Sequence, residues 1–128
     1  NQILVVDDDP FNIMALSAHL KTYKFSVDDA HNGKAAIEKI KAKCQFDKKS
    51  HYKMIFMDCQ MPIMDGYEAS KALKEMMNQG EIPKMPIIGC TAFTSKSKLS
   101  ECYKCGMDSV VTKPVLTEQL IEILRQYN

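Results

Sequence analysis

The chain opens with Ile3-Leu4-Val5-Val6-Asp7-Asp8-Asp9-Pro10, four consecutive apolar residues followed by three aspartates and a proline. A strand with helices on both of its faces has such a continuous apolar run, because neither face meets water. An aspartate followed by proline is typical of a helix N-cap and the first helical position. The stretch therefore predicts a buried strand that leads directly into a helix capped by Asp9.

The same alternation of a short apolar segment and a longer segment of helical spacing recurs along the whole chain. The predicted strands are Ile3–Val6, Phe25–Ala30, Met54–Met57, Pro86–Cys90 and Ser109–Thr112. Parallel strands need crossover connections, which helices usually provide. The pattern therefore predicts an α/β fold, (βα)₅, with a doubly wound, five-stranded parallel sheet.

Three finer predictions concern the first helix, one loop and one turn. In the first helix, apolar residues predict a stripe that comprises Phe11, Met14, Ala15 and Ala18 and extends to Leu20–Tyr23. The segment Cys44–Lys53 is polar and rich in lysine, which predicts an exposed insertion between the second helix and the third strand. Asp65, directly before Gly66, is interpreted as a turn residue.

Size and composition limit the possible classes of protein. A chain of 128 residues, 45% hydrophobic and 26% charged, predicts one globular domain over residues 1–128, which we interpret as excised from a longer chain. A net charge of +1 argues against a nucleic-acid-binding domain. No apolar run approaches the ~20 residues that would cross a bilayer.

The five cysteines form an odd set, which favours a reducing compartment over a disulfide framework. The spacing Cys102-x-x-Cys105 is compatible with zinc or redox chemistry. The chain has no second cysteine pair or paired histidines at ligand spacing, so a closed zinc site is disfavoured. The pair is interpreted as a half-buried helix face, since thiols behave as small apolar groups.

Polar side chains follow four of the predicted strands: Asp7-Asp8-Asp9, Asp58, Thr91 and Lys113-Pro114. Ligands of open α/β sheets bind beyond the carboxyl ends of the strands, where these groups converge. Clustered carboxylates need a positive charge, and Mg²⁺ binds to one or two carboxylates with water and phosphate. A lysine and a hydroxyl suit a phosphoryl group. The residues predict a metal-assisted phosphate site with a carboxylate nucleophile.

Four motifs together resemble those of two-component response regulator receiver domains, namely Val5-Val6-Asp7-Asp8-Asp9, Met57-Asp58-x-x-Met61-Pro62-x-Met64-Asp65-Gly66, Thr91-Ala92 and Lys113-Pro114. Asn12 and the stretch Met64–Glu68 are most similar to receivers of hybrid sensor histidine kinases. The resemblance covers nearly the whole chain. It implies the flavodoxin-like strand order 2-1-3-4-5 and a function in phosphorelay signal transduction.

The resemblance also implies a role for each site residue. Asp58 would accept a phosphoryl group from a phosphohistidine, and the domain would pass it on or switch a partner. Mg²⁺, with Mn²⁺ as an alternative, would be held by Asp7, Asp8, Asp58 and the backbone carbonyl of Gln60.

Two further residues would act on the phosphoryl group. Thr91 would donate a hydrogen bond to a phosphoryl oxygen. Lys113 would pair with the phosphoryl group or with Asp58, and the Lys113–Pro114 bond would be cis.

The implied partner is a histidine kinase or a histidine phosphotransfer domain, with no nucleic acid and no membrane contact by this domain. The location would be cytoplasmic, even where the parent chain is membrane-anchored. The domain itself would not be an enzyme beyond assisting its own aspartyl phosphorylation and dephosphorylation, although the parent chain could be a histidine kinase.

One position departs from the family pattern. Many receivers have Tyr or Phe three residues before the conserved lysine, as a switch residue, and here Val110 stands at that position. We therefore expect Thr91 to respond to phosphorylation without a paired aromatic movement, which favours a relay role. Gln60 and Phe93 are expected to flank the path of attacking water and to tune the phosphoryl lifetime.

Two other classes of function remain open at this point. An aspartate-nucleophile phosphohydrolase would use the same metal chemistry. Such enzymes have their nucleophile in an Asp-x-Asp motif after the first strand and carry a capping insertion. This chain lacks a capping insertion, and its best nucleophile, Asp58, follows the third predicted strand. A pseudo-receiver would bind partners without phosphorylation, but it usually lacks one of the acidic or lysine positions present here.

Overall fold

The computed structural model describes residues 2–45, 49–92 and 95–127. The strands within these ranges are β1 (Gln2–Val6), β2 (Ser26–Ala30), β3 (Met54–Asp58), β4 (Ile87–Thr91) and β5 (Ser109–Thr112). The helices are α1 (Pro10–Thr22), α2 (Gly33–Cys44), α3 (Gly66–Asn78), α4 (Lys96–Lys104) and α5 (Thr117–Tyr127). Strands and helices alternate as predicted, and each predicted strand boundary agrees to within one residue. None of these helices is both long and apolar enough to span a membrane.

The sheet has the order β2-β1-β3-β4-β5, and all neighbouring strands are parallel. The predicted flavodoxin-like order is confirmed. The chain runs outward from β1 to β2 and then crosses back to β3, so the connections diverge on either side of the β1–β3 pair. This divergence opens a crevice at the carboxyl ends of β1 and β3, which is where such folds bind ligands.

Helices cover both faces of the sheet and enclose two separate cores. Alternate residues of one strand point to opposite faces. Thus Leu4 packs into the core beneath α2 and α3, whereas Val5 packs into the core beneath α1 and α5. Each strand therefore has apolar residues on both sides, which explains the continuous apolar run of β1.

The predicted apolar stripe of α1 is wrong for Phe11, Met14, Ala15 and Ala18 and is confirmed at Leu20. Phe11 and Met14 are 75% and 65% exposed, whereas Ile13 and Leu20 are buried. Leu16 packs against the same core as the two buried residues. Because α1 has apolar residues on nearly every side, helical spacing alone could not decide which set faces the sheet. The apolar residues left outside lie beside the strand ends.

The segment Cys44–Lys53 agrees with the prediction in part, since Gln45 and residues 49–51 are exposed. Residues 46–48 lie outside the described residues, but Tyr52 is only 2% exposed, so this part of the predicted insertion is not at the surface. The Tyr52 hydroxyl donates a hydrogen bond of 2.6 Å to Asp28 on β2. An aromatic ring thus anchors the connection that leads into β3.

Aspartate and asparagine side chains cap three of the helices. The Asp9 carboxylate accepts from the Phe11 N–H at 2.9 Å, as predicted for an N-cap followed by proline. Asn32 caps α2. Asp65, interpreted from the sequence as a turn residue, caps α3 by accepting from the Glu68 N–H at 2.9 Å.

Candidate functional site

The carboxyl ends of β1 and β3 bring three carboxylates together. Asp7 follows β1 and Asp58 is the last residue of β3; each is 5% exposed. Asp8 is exposed beside them. One carboxylate oxygen from each residue lies within 4.8 Å of the other two. Parallel neighbouring strands that end at the same edge account for this convergence.

Lys113 brings the positive charge to this cluster. Its backbone N–H, just after β5, donates a hydrogen bond of 2.9 Å to the Thr91 carbonyl at the end of β4, and the Lys113–Pro114 bond is cis. The Lys113 Nζ lies 2.7 Å from an Asp58 oxygen and 3.0 Å from an Asp7 oxygen. One ammonium group therefore pairs with two buried carboxylates.

One lysine does not fully compensate the negative charge. Burial raises the pKa of Asp58 to about 6, against the lowering effects of Lys113 and of the Gln60 N–H, and with a further rise from Asp7. Burial would lower the pKa of Lys113, but the two carboxylates raise it above its ordinary value. A second positive charge at this place would relieve the carboxylates.

The donor chemistry fits a hard divalent cation. The three clustered side chains offer only carboxylate oxygens, which Mg²⁺ and Ca²⁺ prefer, and no sulfur or imidazole ligand lies among them. Asp7 is oriented by the N–H of Asp9, which donates to it at 2.9 Å. Because Asp8 is exposed, water can reach the cluster and complete a coordination shell.

A cleft of about 280 Å³ opens over the carboxylates. At ~30 Å³ for each water, this volume holds a phosphoryl group together with several waters. Thr91 and Gln60, both predicted site residues, line it, and Phe93 lies outside the described residues. Val110 is half-buried on β5 and packs against the core beneath α2 and α3. The lining residues are Asp7, Asp8, Asp9, Asn12, Asp58, Cys59, Gln60, Thr91, Ala92 and Lys113.

Sequence reasoning missed the way in which Gly66 supports the site. A Cβ added at Gly66 would lie 2.1 Å from the Asp58 carbonyl oxygen, so only glycine allows α3 to begin so close to the end of β3. The Gly66 N–H also donates to the Cys59 carbonyl at 3.0 Å. The helix cap at Asp65 next to a glycine was the available signal for this close approach.

A five-stranded sheet of order 2-1-3-4-5 that places acidic residues at the carboxyl ends of β1 and β3 and a lysine after β5 defines the class of two-component receiver domains. The family model described as "Response regulator receiver domain" matches residues 3–125. The chain therefore belongs to the response regulator receiver domain family, whose function is phosphorelay signal transduction.

The most informative relatives are histidine kinases. Over 126 residues the chain is 35% identical to hybrid signal transduction histidine kinase L of Dictyostelium discoideum, covering 98% of this chain and 7% of that kinase. It spans 6% to 15% of the length of eight such kinases.

Two solved structures share the fold. The receiver domain of the Arabidopsis thaliana histidine kinase CKI1, complexed with Mg²⁺, has a TM-score of 0.87 at 27% identity, covering 99% of this chain and 91% of that one. The receiver domain of a Pseudomonas aeruginosa sensor histidine kinase, with magnesium in its active-site cleft, has a TM-score of 0.77 at 28% identity, covering 98% and 95%. Neither the phosphohydrolase nor the pseudo-receiver alternative is favoured by these likenesses.

Proposed function

We propose that Asp58 is the phosphoacceptor of this receiver domain. The observation that carries the proposal is its placement: a buried carboxylate at the base of the cleft, bound by Lys113 at 2.7 Å and accompanied by two further carboxylates. With a pKa of about 6, Asp58 is mostly ionised at neutral pH and can act as a nucleophile.

The transfer step follows from this placement. An Asp58 carboxylate oxygen attacks the phosphorus of a phosphohistidine, and a P–O bond forms as the P–N bond breaks. The imidazole nitrogen keeps the bonding electron pair and leaves with the partner. Lys113 holds the carboxylate in place and balances the charge that arrives, and Thr91 hydrogen-bonds a phosphoryl oxygen.

A divalent cation belongs to the same proposal. Asp7, Asp8, Asp58 and the Gln60 backbone carbonyl would hold Mg²⁺ or Mn²⁺, and the cation would neutralise charge on the oxygens of the transferred group. Support comes from the three carboxylates within 4.8 Å of one another and from the magnesium in the two solved relatives.

The partner would be a histidine kinase or a histidine phosphotransfer domain, which must bring its imidazole to the mouth of the cleft. Four large apolar side chains stand exposed on the segments around this edge: Phe11 and Met14 on α1, Ile63 after β3, and Leu116 before α5. Exposed apolar side chains that surround a polar site are typical of a protein interface. We infer that the phosphodonor docks on them.

The domain would act as a module within a longer chain, since its relatives carry it as a small part of a histidine kinase. Val110 at the switch position favours onward transfer of the phosphoryl group over a large conformational output. Apart from its own phosphorylation and dephosphorylation, the domain would catalyse no reaction, and it would act in the cytoplasm without binding nucleic acid or membrane.

Acetyl phosphate with Mg²⁺, followed by intact mass and tryptic mapping, tests the phosphoacceptor. Wild type should gain one phosphoryl group on the peptide 54–71, which contains Asp58. Asp58→Asn should gain none. Asp65→Asn, on the same peptide, is the matched control, because asparagine also caps helices and the site stays intact. An equal adduct on Asp58→Asn would refute the assignment.

A further inference from the structure

Two buried thiols meet behind the phosphoacceptor. The Sγ atoms of Cys59 and Cys102 lie 3.6 Å apart, although the residues are 43 positions apart in the sequence. Cys59 is 1% exposed and Cys102 is fully buried; both are free thiols. A disulfide has an S–S length of ~2.05 Å, so a movement of about 1.5 Å would join them. The two sulfur atoms therefore lie within about 1.5 Å of bonding distance.

The surroundings of the pair offer unused hydrogen-bonding groups. The Tyr67 hydroxyl lies against both thiols, and it is one of two buried side-chain polar atoms among the described residues that have no hydrogen-bond partner of normal geometry, the other being Ser70 Oγ. Buried hydroxyls usually have a hydrogen-bond partner, and an unpaired one destabilises the fold. An oxygen added to either sulfur would supply the missing acceptor.

The two cysteines also occupy structurally important positions. Cys59 follows Asp58 directly, its N–H donates to the Cys90 carbonyl at 3.1 Å, and its carbonyl accepts from Gly66. Cys102 is the buried residue of α4, a short helix that is otherwise polar or only partly buried. A bond between them would tie α4 to the loop that directly follows the phosphoacceptor. An α4 attached through so little buried surface can open locally and admit a small oxidant.

We propose that Cys59 and Cys102 form a reversible disulfide in response to a peroxide. One sulfur attacks a peroxide oxygen, an S–O bond forms as the O–O bond breaks, and the thiol proton passes to the departing hydroxide, which leaves as water; the sulfenic acid is held by the Tyr67 hydroxyl. The second sulfur then attacks the first, an S–S bond forms, the S–O bond breaks, and a second water leaves. Two thiols lose two electrons and one hydrogen peroxide is reduced to two waters.

The neighbouring pair Cys102 and Cys105 is a poorer candidate. Residues three apart on a helix have Cβ atoms ~5–6 Å apart, beyond the ~3.5–4.5 Å of a disulfide. The Cys105 thiol donates instead to the Cys102 carbonyl at 3.0 Å. The contact between Cys59, after β3, and Cys102, on α4, is thus better placed for a disulfide than the contact between Cys102 and Cys105.

Peptide mapping decides the chemistry. Trypsin separates all five cysteines, with Cys59 on peptide 54–71 and Cys102 on peptide 99–104. After treatment of the native chain with hydrogen peroxide, we expect these two peptides to be joined, and dithiothreitol to release them. The link should be absent in Cys102→Ser and retained in Cys105→Ser and in Cys44→Ser, a buried cysteine elsewhere. No link in folded wild type, or a link from Cys102 to Cys105, would overturn the proposal.

The effect on phosphorylation rests on the proposed function of Asp58. We expect the oxidised wild type to accept phosphate from acetyl phosphate at least about fivefold more slowly than the reduced form, the lower end of ordinary coupling between sites. Cys102→Ser treated alike should not change. An unchanged rate in the linked protein would overturn the regulatory role. A reduced wild type that accepts no phosphate would instead refute the function of Asp58 and leave the disulfide standing.

Discussion

Asp28 and Asp58 both lie on strands and both pair with a lysine, yet their pKa values move in opposite directions. Lys39 lies 3.0 Å from Asp28 and Lys113 lies 2.7 Å from Asp58. Burial alone would raise the pKa of Asp28, but hydrogen bonds from Tyr52 and Lys39 lower it below its ordinary value. For Asp58, burial prevails and raises the pKa to about 6.

The difference lies in how many donors each carboxylate has. Asp28 receives the Tyr52 hydroxyl at 2.6 Å, the Lys39 ammonium at 3.0 Å and the Asp29 N–H at 2.9 Å. Asp58 is more deeply buried and has two more carboxylates beside it. A carboxylate satisfied by its own protein stabilises the fold, whereas one left short of donors is prepared for an external cation or phosphoryl group.

The largest effect is expected on removing the lysine partner of each aspartate. Lys113→Ala should slow phosphoryl acceptance from acetyl phosphate by about 10²–10³-fold, because charge stabilisation at the transferred group is lost. Lys39→Ala should leave this rate unchanged and lower the free energy of unfolding by about 1 kcal/mol. Rates by intact mass and urea titrations measure both. Equal rates for the two variants would show that Lys113 contributes no more to phosphoryl acceptance than Lys39 does.

The next effect concerns the backbone beneath Asp58. Gly66→Ala should lower the free energy of unfolding by about 3 kcal/mol, because the added Cβ would lie 2.1 Å from the Asp58 carbonyl oxygen. At Gly80, where φ is 77° and an added Cβ would meet no atom within 4 Å, alanine should cost only about 1 kcal/mol of backbone strain. Urea unfolding compares them. Equal losses would mean that the start of α3 can move away from β3.

Replacing each aspartate by asparagine should change stability with opposite signs in metal-free buffer. A carboxyl whose pKa rises from 3.8 to about 6 costs ~3 kcal/mol when ionised, and water at the cleft reduces this to about 1–2 kcal/mol. Asp58→Asn should therefore stabilise the fold by that amount at pH 7. Asp28→Asn should destabilise it by about 1 kcal/mol, because a charged acceptor is lost.

The pH dependence of folding stability should also have opposite signs for Asp58 and Asp28. The contribution of Asp58 to stability is complete below about pH 4 and is lost as the pH rises through about 6, so the gain of Asp58→Asn should develop over this window. The contribution of Asp28 is present above its unfolded pKa and is lost as the pH falls through its lowered folded pKa. Urea midpoints from pH 4 to 8 measure both. A gain for Asp58→Asn that is independent of pH would contradict the assignment of the raised pKa.

Much of the fold was predictable because its signals are local. The apolar run of β1 and the aspartate–proline cap of α1 each depend on neighbouring residues, and both are confirmed. The buried face of α1 was not predictable, since Phe11 and Ile13 are equally apolar and only contact with the sheet decides between them. The convergence of the strand-end residues was predictable from topology. Asp65-Gly66 signals that a helix begins there, but the closeness of Gly66 to the Asp58 carbonyl depends on how α3 meets β3, which the sequence spacing does not encode.

The smallest effect is expected at the edge of the site. Ile63, with φ 72°, and Lys24, with φ 68°, are the non-glycine residues of positive φ within the described ranges. A left-handed conformation costs such residues ~1–2 kcal/mol, which glycine avoids at some cost in unfolded-chain entropy. Ile63→Gly and Lys24→Gly should therefore each stabilise the fold by about 0.5–1 kcal/mol in thermal unfolding.

The two substitutions, Ile63→Gly and Lys24→Gly, should differ in their effect on phosphotransfer. Ile63 is 79% exposed, an unusual place for a strained apolar residue unless a partner covers it. Ile63→Gly should weaken phosphotransfer from a histidine phosphotransfer domain about fivefold, the value of roughly 1 kcal/mol of lost interface contact, and leave the acetyl phosphate rate unchanged. Lys24→Gly should change neither rate. If Ile63→Gly alters both rates equally, the residue supports the site itself, and the docking surface must lie elsewhere on the molecule.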